Sequence, residues 1–500
     1  MRERLVLIGN GMAGMRTLEE LLAIAPDKFD ITVFGTEPHG NYNRIMLSPV
    51  LAGEKTIDQI MINDLGWYAE RGITLHAGQE VTHINRARRQ VYAADGTMAS
   101  YDRLLLATGS NPFILPIPGN DLPGVIGFRD IKDVETMLTA AQTGKHAVVI
   151  GGGLLGLEAA NGLMKQGMQV TVVHVLDTLM ERQLDPVAAD MLRASLEERG
   201  LRFLMGANTA AVLGEERVRA VRFKDGLEIP ADLVVMAVGI RPNIELAKQA
   251  GIYCERGVVV NDTMQTYDPK VYAVGECVQH RGQCYGLVAP LWEQAKVCAN
   301  HLARYGIGRY QGSVTSTKLK VTGIDLFSAG NFNGGSGCEE IVLRDPARGV
   351  YKKLVVKENR VQGAVLYGDT VDGTWYFQLL REGTDIGAFR ETVLFGHAHM
   401  ADSGRDGFSV MTMADDAEIC GCNGVCKGAI IKAISEKKLF TVDEVRAHTK
   451  ASASCGSCTG LVEQILAATV GTFDKTPKEK ALCKCTEHSH DQVRKMIREQ

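Results

Sequence analysis

Two stretches of this chain repeat one pattern: an apolar run that drives straight into spaced glycines and then into helical periodicity. In the first, Leu5-Val-Leu-Ile8 meets Gly9, Gly11 and Gly14, and apolar residues follow at Met12, Met15, Leu18, Leu21 and Leu22. In the second, Ala147-Val-Val-Ile150 meets Gly151, Gly153 and Gly156, and Leu157, Ala160, Leu163 and Met164 follow. Each reads as a strand, a tight turn and a helix N-terminus. In such a unit the first glycine makes the turn, the second lets backbone approach a pyrophosphate, and the third lets helix and strand pack closely. The helix end adds open N–H groups and a positive dipole. Two copies predict an α/β chain with two Rossmann-like dinucleotide-binding domains.

The surroundings of each turn extend the pattern. After the first, a strand at Ile31 to Phe34 leads to Glu37, about 20 residues on and placed for a ribose hydroxyl pair. Arg44 lies in the polar loop that follows and reads as a bidentate pyrophosphate donor. Val81 to Val91, followed by Asp95-Gly96, predicts strand and hairpin, and Tyr101 to Ala107 predicts a strand ending at Thr108-Gly109-Ser110. The prolines at 112, 116, 118 and 123 mark a connection. In the second unit Asp185-Pro186 supplies a cap and then proline at the first helical position. The strand Val170 to Val173 ends at His174, which selects neither NAD nor NADP, while Arg182 keeps NADP open. Ala231 to Ala237 runs into Val238-Gly239, and Val271 to Val274 into Gly275-Glu276, each a strand-to-glycine exit.

Composition narrows the classes. Five hundred residues allow roughly three or four domains of about 150 each. A net charge of −4 leaves no electrostatic footprint for nucleic acid. No apolar run reaches bilayer-spanning length, and Met1-Arg-Glu-Arg leads directly into a core strand rather than a signal peptide, so a soluble, cytoplasmic protein is expected. Oligomerisation stays open.

These motifs together resemble the two-dinucleotide-binding flavoprotein family of pyridine-nucleotide reductases, over about residues 1–310. The resemblance implies an FAD domain formed by 1–112 and 241–312, with an NAD(P)H domain, 113–240, inserted in it. The cofactor-binding set it implies is Gly9, Gly11, Ala13, Gly14, Glu37, Arg44, Val81, Thr108, Gly109, Gly151, Gly153, Leu154, Leu155, Gly156, Glu158, His174, Gly239, Gly275 and Glu276. Of these, Gly11, Gly14, Glu37, Arg44, Gly109 and Glu276 fall to FAD, and Gly151, Gly153, Gly156, Glu158 and Gly239 to the nicotinamide nucleotide. A helix from Pro290 to His301 would point its N-terminus into the flavin crevice and favour negative charge on the reduced ring. Such flavin enzymes that reduce disulfides carry paired cysteines near the flavin; the first 253 residues here contain none, so that chemistry is not expected. Residues 313–405 show short β-type runs (Leu319 to Val321, Leu326 to Ala329, Tyr351 to Val356, Ala364 to Tyr367) and then a helix from Thr374 to Arg381, a small α+β domain of the kind such reductases pack against flavin or partner. His397 and His399 read as loop residues rather than metal ligands.

Seven of the twelve cysteines crowd the C-terminal end: Cys420, Cys422, Cys426, Cys455, Cys458, Cys483 and Cys485. In a cytosolic chain such clustering argues for metal rather than disulfides. The two close pairs Cys420/Cys422 and Cys455/Cys458 can enclose Zn²⁺ or a [2Fe–2S] cluster, and spacing alone does not choose. Between them runs a helix with Ala429, Ile430, Ala433 and Ile434 on its apolar face; Thr441 starts a second helix and Cys458 a third. The residues Cys420-Gly-Cys-Asn-Gly-Val-Cys-Lys-Gly428 and Ala453-Ser-Cys-Gly-Ser-Cys-Thr-Gly460 resemble the small helical [2Fe–2S] domain of bacterioferritin-associated ferredoxin. Carried over by position over 415–472, the ligands are Cys420, Cys422, Cys455 and Cys458, with Cys426 spare and a structural zinc as the alternative.

Cys483-Lys-Cys485-Thr opens what resembles a second, incomplete cluster domain over 480–500. The whole order resembles the N-terminal FAD/NADH and [2Fe–2S] part of the assimilatory NAD(P)H-dependent nitrite reductase large subunit. That implies hydride transfer from NADH to FAD, with no catalytic acid or base, and single electrons passed through the cluster toward a sirohaem/[4Fe–4S] module that reduces nitrite to ammonium. No cysteine set for that module follows residue 485, so a truncated chain or a natural electron-input subunit is expected. The electron-transfer subunit of NADH-dependent assimilatory nitrate reductase shares the organisation. A reading of another class is an NADH oxidase with a zinc-stapled interaction module.

Overall fold

A computed structural model describes residues 2–396, apart from 320 and 322, and residues 410–470, apart from 422, 454, 455 and 457. The chain divides into two compact units, Met1–Gly407 and Phe408–Gln500.

The first unit contains two five-stranded parallel sheets that share the order of four strands and differ in the fifth, an edge strand that comes last in the chain in one sheet and first in the other. One runs, edge to edge, Val271–Ala273, Arg103–Leu106, Glu3–Ile8, Phe29–Gly35, Thr74–Ala77. The other runs Val125–Ile126, Leu233–Met236, His146–Ile150, Gln169–Val173, Arg202–Leu204. The central strands are covered on both faces, which is why Leu5 to Ile8 and Ala147 to Ile150 are unbroken apolar runs rather than alternating ones. Between Thr74–Ala77 and Arg103–Leu106 in the first sheet, and between Arg202–Leu204 and Leu233–Met236 in the second, the chain forms a three-stranded antiparallel meander, Val81–Asn85 with Gln90–Ala93 and Met98–Ser100 in the first, Thr209–Gly214 with Val218–Phe223 and Glu228–Pro230 in the second. Ser110–Pro112 pairs antiparallel with Ile240–Pro242, so the chain leaves and re-enters the first sheet side by side. Helices Met12–Ile24 and Val288–Leu302 pack against each other beside the first sheet.

Residues 316–382 form a five-stranded antiparallel sheet, in the order Ser316–Lys318, Leu326–Gly330, Arg360–Tyr367, Val350–Lys357, Glu339–Asp345, with the helix Gly373–Glu382 on it. The strand expected at Leu319 to Val321 lies instead at Ser316–Lys318. Leu319 and Val321 are buried in the core of the second nucleotide sheet, so their spacing reports burial and not strand pairing. Glu339–Asp345 escaped the sequence reading because it is a charged edge strand, with Glu339, Glu340, Arg344 and Asp345 among its seven residues. This sheet is fastened to the helix Pro186–Glu198: Tyr351 Oη donates to Asp185 Oδ2 at 2.6 Å, and Ser195 Oγ lies 2.6 Å from Tyr367 Oη. Asp185 also caps that helix by accepting from Ala188 N–H. His397 and His399 lie outside the described residues.

Among the described residues the second unit has a short hairpin, Glu418–Cys420 with Val425–Cys426, and three α-helices, Lys427–Lys437, Val442–Thr449 and Thr459–Val470. Ile419, Ile430, Ile434, Val445, Val462, Ile465 and Leu466 form its core. Thr441 and Glu444 close a capping box, worth about 1 kcal/mol, at the start of the middle helix. Cys483, Cys485 and the expected 480–500 segment lie outside the described residues. No described helix is long and apolar enough to cross a membrane.

Candidate functional site

Both glycine turns sit at the carboxyl ends of their sheets, where ligands bind in open α/β folds. Gly9 has φ +108°, and a Cβ there would lie 2.1 Å from the Ala107 carbonyl oxygen. Its counterpart Gly151 has φ +119°, and a Cβ would lie 2.3 Å from the Ala237 carbonyl oxygen. The third glycines are as tight: a Cβ at Gly14 or Gly156 would come within 2.8 Å or 2.0 Å of the carbonyl oxygen of Gly9 or Gly151. The middle glycines, Gly11 and Gly153, differ, for no protein atom lies within 4 Å of a Cβ built on either. They are the N-caps of helices Met12–Ile24 and Leu154–Lys165, and neither helix has a side-chain cap or an acidic residue in its first turn. Open space before an uncapped helix N-terminus is a cradle that fits a pyrophosphate.

Around the first cradle, Glu37 accepts from Tyr42 Oη at 2.7 Å and from Arg44 Nη2 at 2.5 Å. Burial pushes the Tyr42 phenol well above its ordinary pKa, keeping it a donor. Arg44 also donates to the Arg129 carbonyl at 2.7 Å. Glu276 accepts from Ser110 Oγ at 2.7 Å and from Arg129 Nη2 at 2.5 Å. Ala13 faces Gly275, whose N–H donates to Gln294 of helix Val288–Leu302 at 2.8 Å. Thr108 Oγ1 donates to the Asn243 carbonyl at 2.6 Å, and Gly109 sits beside the Arg129 guanidinium. Val81 begins the meander and is buried. The structure thus brings Glu37, Arg44, Gly109 and Glu276 together around one residue that the sequence reading missed, Arg129. No motif marks it; it precedes Asp130, the N-cap of helix Ile131–Thr143, whose S/T/D-x-x-D pattern is all that the sequence offers there. Next to Glu276, Cys277 is fully buried, and burial raises its thiol pKa, so it is no thiolate.

Around the second cradle, Leu154 and Leu155 open the helix. Glu158 is buried and accepts from Ser48 Oγ at 2.5 Å, at the seam with the first sheet's loops. His174 is turned inward: its Nδ1 accepts from Gly152 N–H at 3.1 Å, and its Nε2 lies 3.1 Å from the Thr178 carbonyl and 3.3 Å from Glu181 Oε2. It braces the glycine turn. Arg182 stands almost wholly in solvent. Gly239 has no neighbour in the space a Cβ would take, leaving the strand exit open.

In the second unit Cys420 and Cys458 are both buried, one ending the strand Glu418–Cys420 and the other just before the helix Thr459–Val470. Cys422 and Cys455 lie outside the described residues. Cys426 is the N-cap of helix Lys427–Lys437. The two described thiols are sulfur donors of the kind an iron–sulfur cluster takes, though among the described residues no three potential ligands come together. Lys427, also buried, spends its ammonium on the carbonyls of Met411 and Met413 and on Asp415.

Residues 3–301 match the family model of pyridine nucleotide-disulphide oxidoreductases. The chain belongs to that family. Residues 316–384 match the rubredoxin NAD+ reductase C-terminal domain, and residues 418–468 the BFD-like [2Fe-2S] binding domain. FAD and a pyridine nucleotide are accordingly the groups for the two cradles, and a [2Fe–2S] cluster the group for the cysteine-bearing unit. Over 98% of its length the chain is 50% identical to the nitrite reductase [NAD(P)H] of Bacillus subtilis (strain 168). It is 44% identical, again over 98%, to the assimilatory nitrate reductase electron transfer subunit of the same organism. The chain spans 61% and 63% of the lengths of those two proteins. Among solved structures, the covalent putidaredoxin reductase–putidaredoxin complex shares the fold with a TM-score of 0.70 and 28% identity, over 77% of this chain and 94% of that one.

Proposed function

We propose that the chain is the electron-input part of an assimilatory NAD(P)H-dependent nitrite reductase. In this reading residues 1–112 and 241–312 hold FAD, 113–240 hold NAD(P)H, and 313–405 form the reductase C-terminal domain. Residues 415–472 carry the cluster on Cys420, Cys422, Cys455 and Cys458, and 480–500 begin a second, incomplete cluster-like domain. One observation carries the reading. A flavin unit with no cysteine before Cys254 shares its chain with a separate unit of cysteine pairs, so electrons leave through a metal centre rather than a disulfide.

When bound, the flavin would supply acceptance of a hydride and the cluster single-electron release, chemistry that converts one two-electron delivery into two one-electron deliveries. The chain's own residues bind and orient. The open N–H groups at Gly11 and Gly153 would take the two pyrophosphates, Glu37 would take a ribose hydroxyl of FAD, Arg44 and Arg129 would offset phosphate charge, and Glu276 would take a ribityl hydroxyl. His174 holds the second turn in shape. Close placement of donor and acceptor supplies the rate enhancement, and no side chain moves a proton in the hydride step.

The electrons are destined for a sirohaem/[4Fe–4S] module that reduces nitrite to ammonium, on a continuation of the chain or on a partner subunit, in the cytoplasm. The 50% identity to an NAD(P)H nitrite reductase supports this reading. The 44% identity to a nitrate reductase electron transfer subunit supports a second, in which nitrate is the terminal acceptor. The test mixes the NADH-reduced chain, without oxygen, with a purified sirohaem/[4Fe–4S] module and nitrite. Ammonium formed at the expense of NADH is the expected result. Transfer only to a nitrate-reducing subunit moves the reading to the second, and transfer to neither overturns both.

A further inference from the structure

Asn423 sits in the turn between the hairpin strands Glu418–Cys420 and Val425–Cys426, inside the first cysteine segment. Its backbone N–H donates to the Cys420 carbonyl at 3.3 Å. Its side-chain Nδ2 lies 2.6 Å from the Lys450 carbonyl and 3.7 Å from Cys420 Sγ. Lys450 has φ +62° and ends the helix Val442–Thr449 just before the second cysteine segment. The Lys450 carbonyl is an acceptor, and Cys420 Sγ is one too once it is the thiolate that a cluster ligand must be, so an NH₂ facing both can give a hydrogen to each. The contact to Lys450 alone would be enough to brace the two cysteine segments. The contact to sulfur does something else.

We propose that Asn423 donates a hydrogen bond to the Cys420 thiolate and thereby raises the reduction potential of the cluster. The inference rests on the reading above that Cys420 is a cluster ligand. Hydrogen bonds to the sulfurs, net charge and solvent exposure are what tune such potentials. A donor to a ligand sulfur favours the reduced, more negative cluster. Cys420 is only 2% exposed, so this bond acts in a low-dielectric surrounding where it is worth more than it would be in water. A higher potential makes the cluster a better electron acceptor for the flavin. Asn423 is therefore a positioning and tuning residue rather than a catalytic one.

The experiment is an anaerobic redox titration of the full chain followed by low-temperature EPR, comparing wild type with Asn423→Ala and Asn423→Gln, with iron and FAD assayed on every sample. At the potential that half-reduces the wild-type cluster, the reduced-to-oxidised ratio in Asn423→Ala should fall from one to roughly a tenth, which is about 59 mV for a one-electron couple. Asn423→Gln, which keeps an amide, should recover part of the shift. An Asn423→Ala chain with full iron and an unmoved midpoint overturns the proposal. If Asn423→Ala fails to hold iron, pulsed EPR on the reduced wild type carrying ¹⁵N in its asparagine side chains decides. A nitrogen coupling that changes with the label upholds the bond, and no such coupling overturns it. A wild-type chain without iron or signal instead defeats the underlying reading of Cys420, and the proposal falls with it.

Discussion

The two nucleotide units are close copies in backbone and different in chemistry. Gly9 and Gly151 share a left-handed φ and the same near-contact with a carbonyl of the neighbouring strand. Each unit even clasps its sheet in the same way. Asp102, just before the strand Arg103–Leu106, accepts from Arg4 N–H at 2.9 Å, and Asp232, just before Leu233–Met236, accepts from His146 N–H at 2.9 Å and Lys145 N–H at 2.7 Å. At the end of the strand that follows each glycine-turn helix the likeness stops. The first unit presents Glu37, held by Tyr42 and Arg44, and the second presents His174, folded back onto Gly152. The backbone cradle determines that a dinucleotide binds, and the strand-end side chain determines what surrounds it.

The largest expected effect separates turn glycines from cradle glycines. Gly9→Ala or Gly151→Ala forces a side chain at positive φ into a carbonyl oxygen and should cost more than about 3 kcal/mol, seen as a large fall in Tm and, for Gly9→Ala, loss of flavin. A flavin-replete Gly9→Ala chain with wild-type Tm would break the comparison. Gly11→Ala and Gly153→Ala meet no protein atom and should leave the unliganded chain within about 0.5 kcal/mol of wild type. Their cost should appear in binding instead, as a tenfold or greater weakening of FAD for the first and an equal rise in the KM for NADH for the second. Calorimetry of the flavin-free chain beside steady-state kinetics distinguishes these outcomes.

The strand-end residues sharpen the contrast. Glu37→Gln should weaken FAD roughly tenfold, about 1.4 kcal/mol, without touching the NADH KM. His174→Ala should raise that KM about five- to tenfold with kcat and flavin content unchanged, because it removes only the brace on Gly152. Equal effects of His174→Ala on FAD and on NADH would show that the units are not separable.

The smallest effect is the acid limb of stability. Arg4 holds the Asp102 carboxyl down to about 2, first through its side-chain hydrogen bond, and the His146 N–H holds Asp232 below the ordinary range. With folded values below the unfolded ones, the stability they contribute is present above about pH 4 and is lost as pH falls toward 2. Arg4 is half-exposed, so the Asp102 contribution is screened to about 1 kcal/mol or less. Asp102→Asn and Asp232→Asn should flatten the fall of Tm between pH 4 and 2 and lower Tm slightly at neutral pH.

The parallel sheets were legible in the sequence because their strands are buried on both faces and end in glycine, as Leu5 to Gly9 and Ala147 to Gly151 do. The clasp of Asp102 was not, because it joins residues 98 positions apart, and the second meander and Glu339–Asp345 were not, because charged residues such as Glu215, Glu216, Arg217, Glu339, Glu340 and Arg344 break up their apolar pattern. The same division runs through the sites. Gly11, Glu37 and Gly153 announce themselves by spacing, whereas Arg129 reaches Glu276 across 147 positions of sequence, and His174 announces its position without its inward orientation.

The most direct test of the account is an anaerobic titration of the chain with NADH, read by visible absorption and low-temperature EPR, with iron and zinc assayed on the same sample. The account predicts bleaching of the flavin bands together with a rhombic one-electron signal, and about two irons per chain. Flavin bleaching with zinc in place of iron and no EPR signal would contradict it, leaving an NADH oxidase with a structural metal.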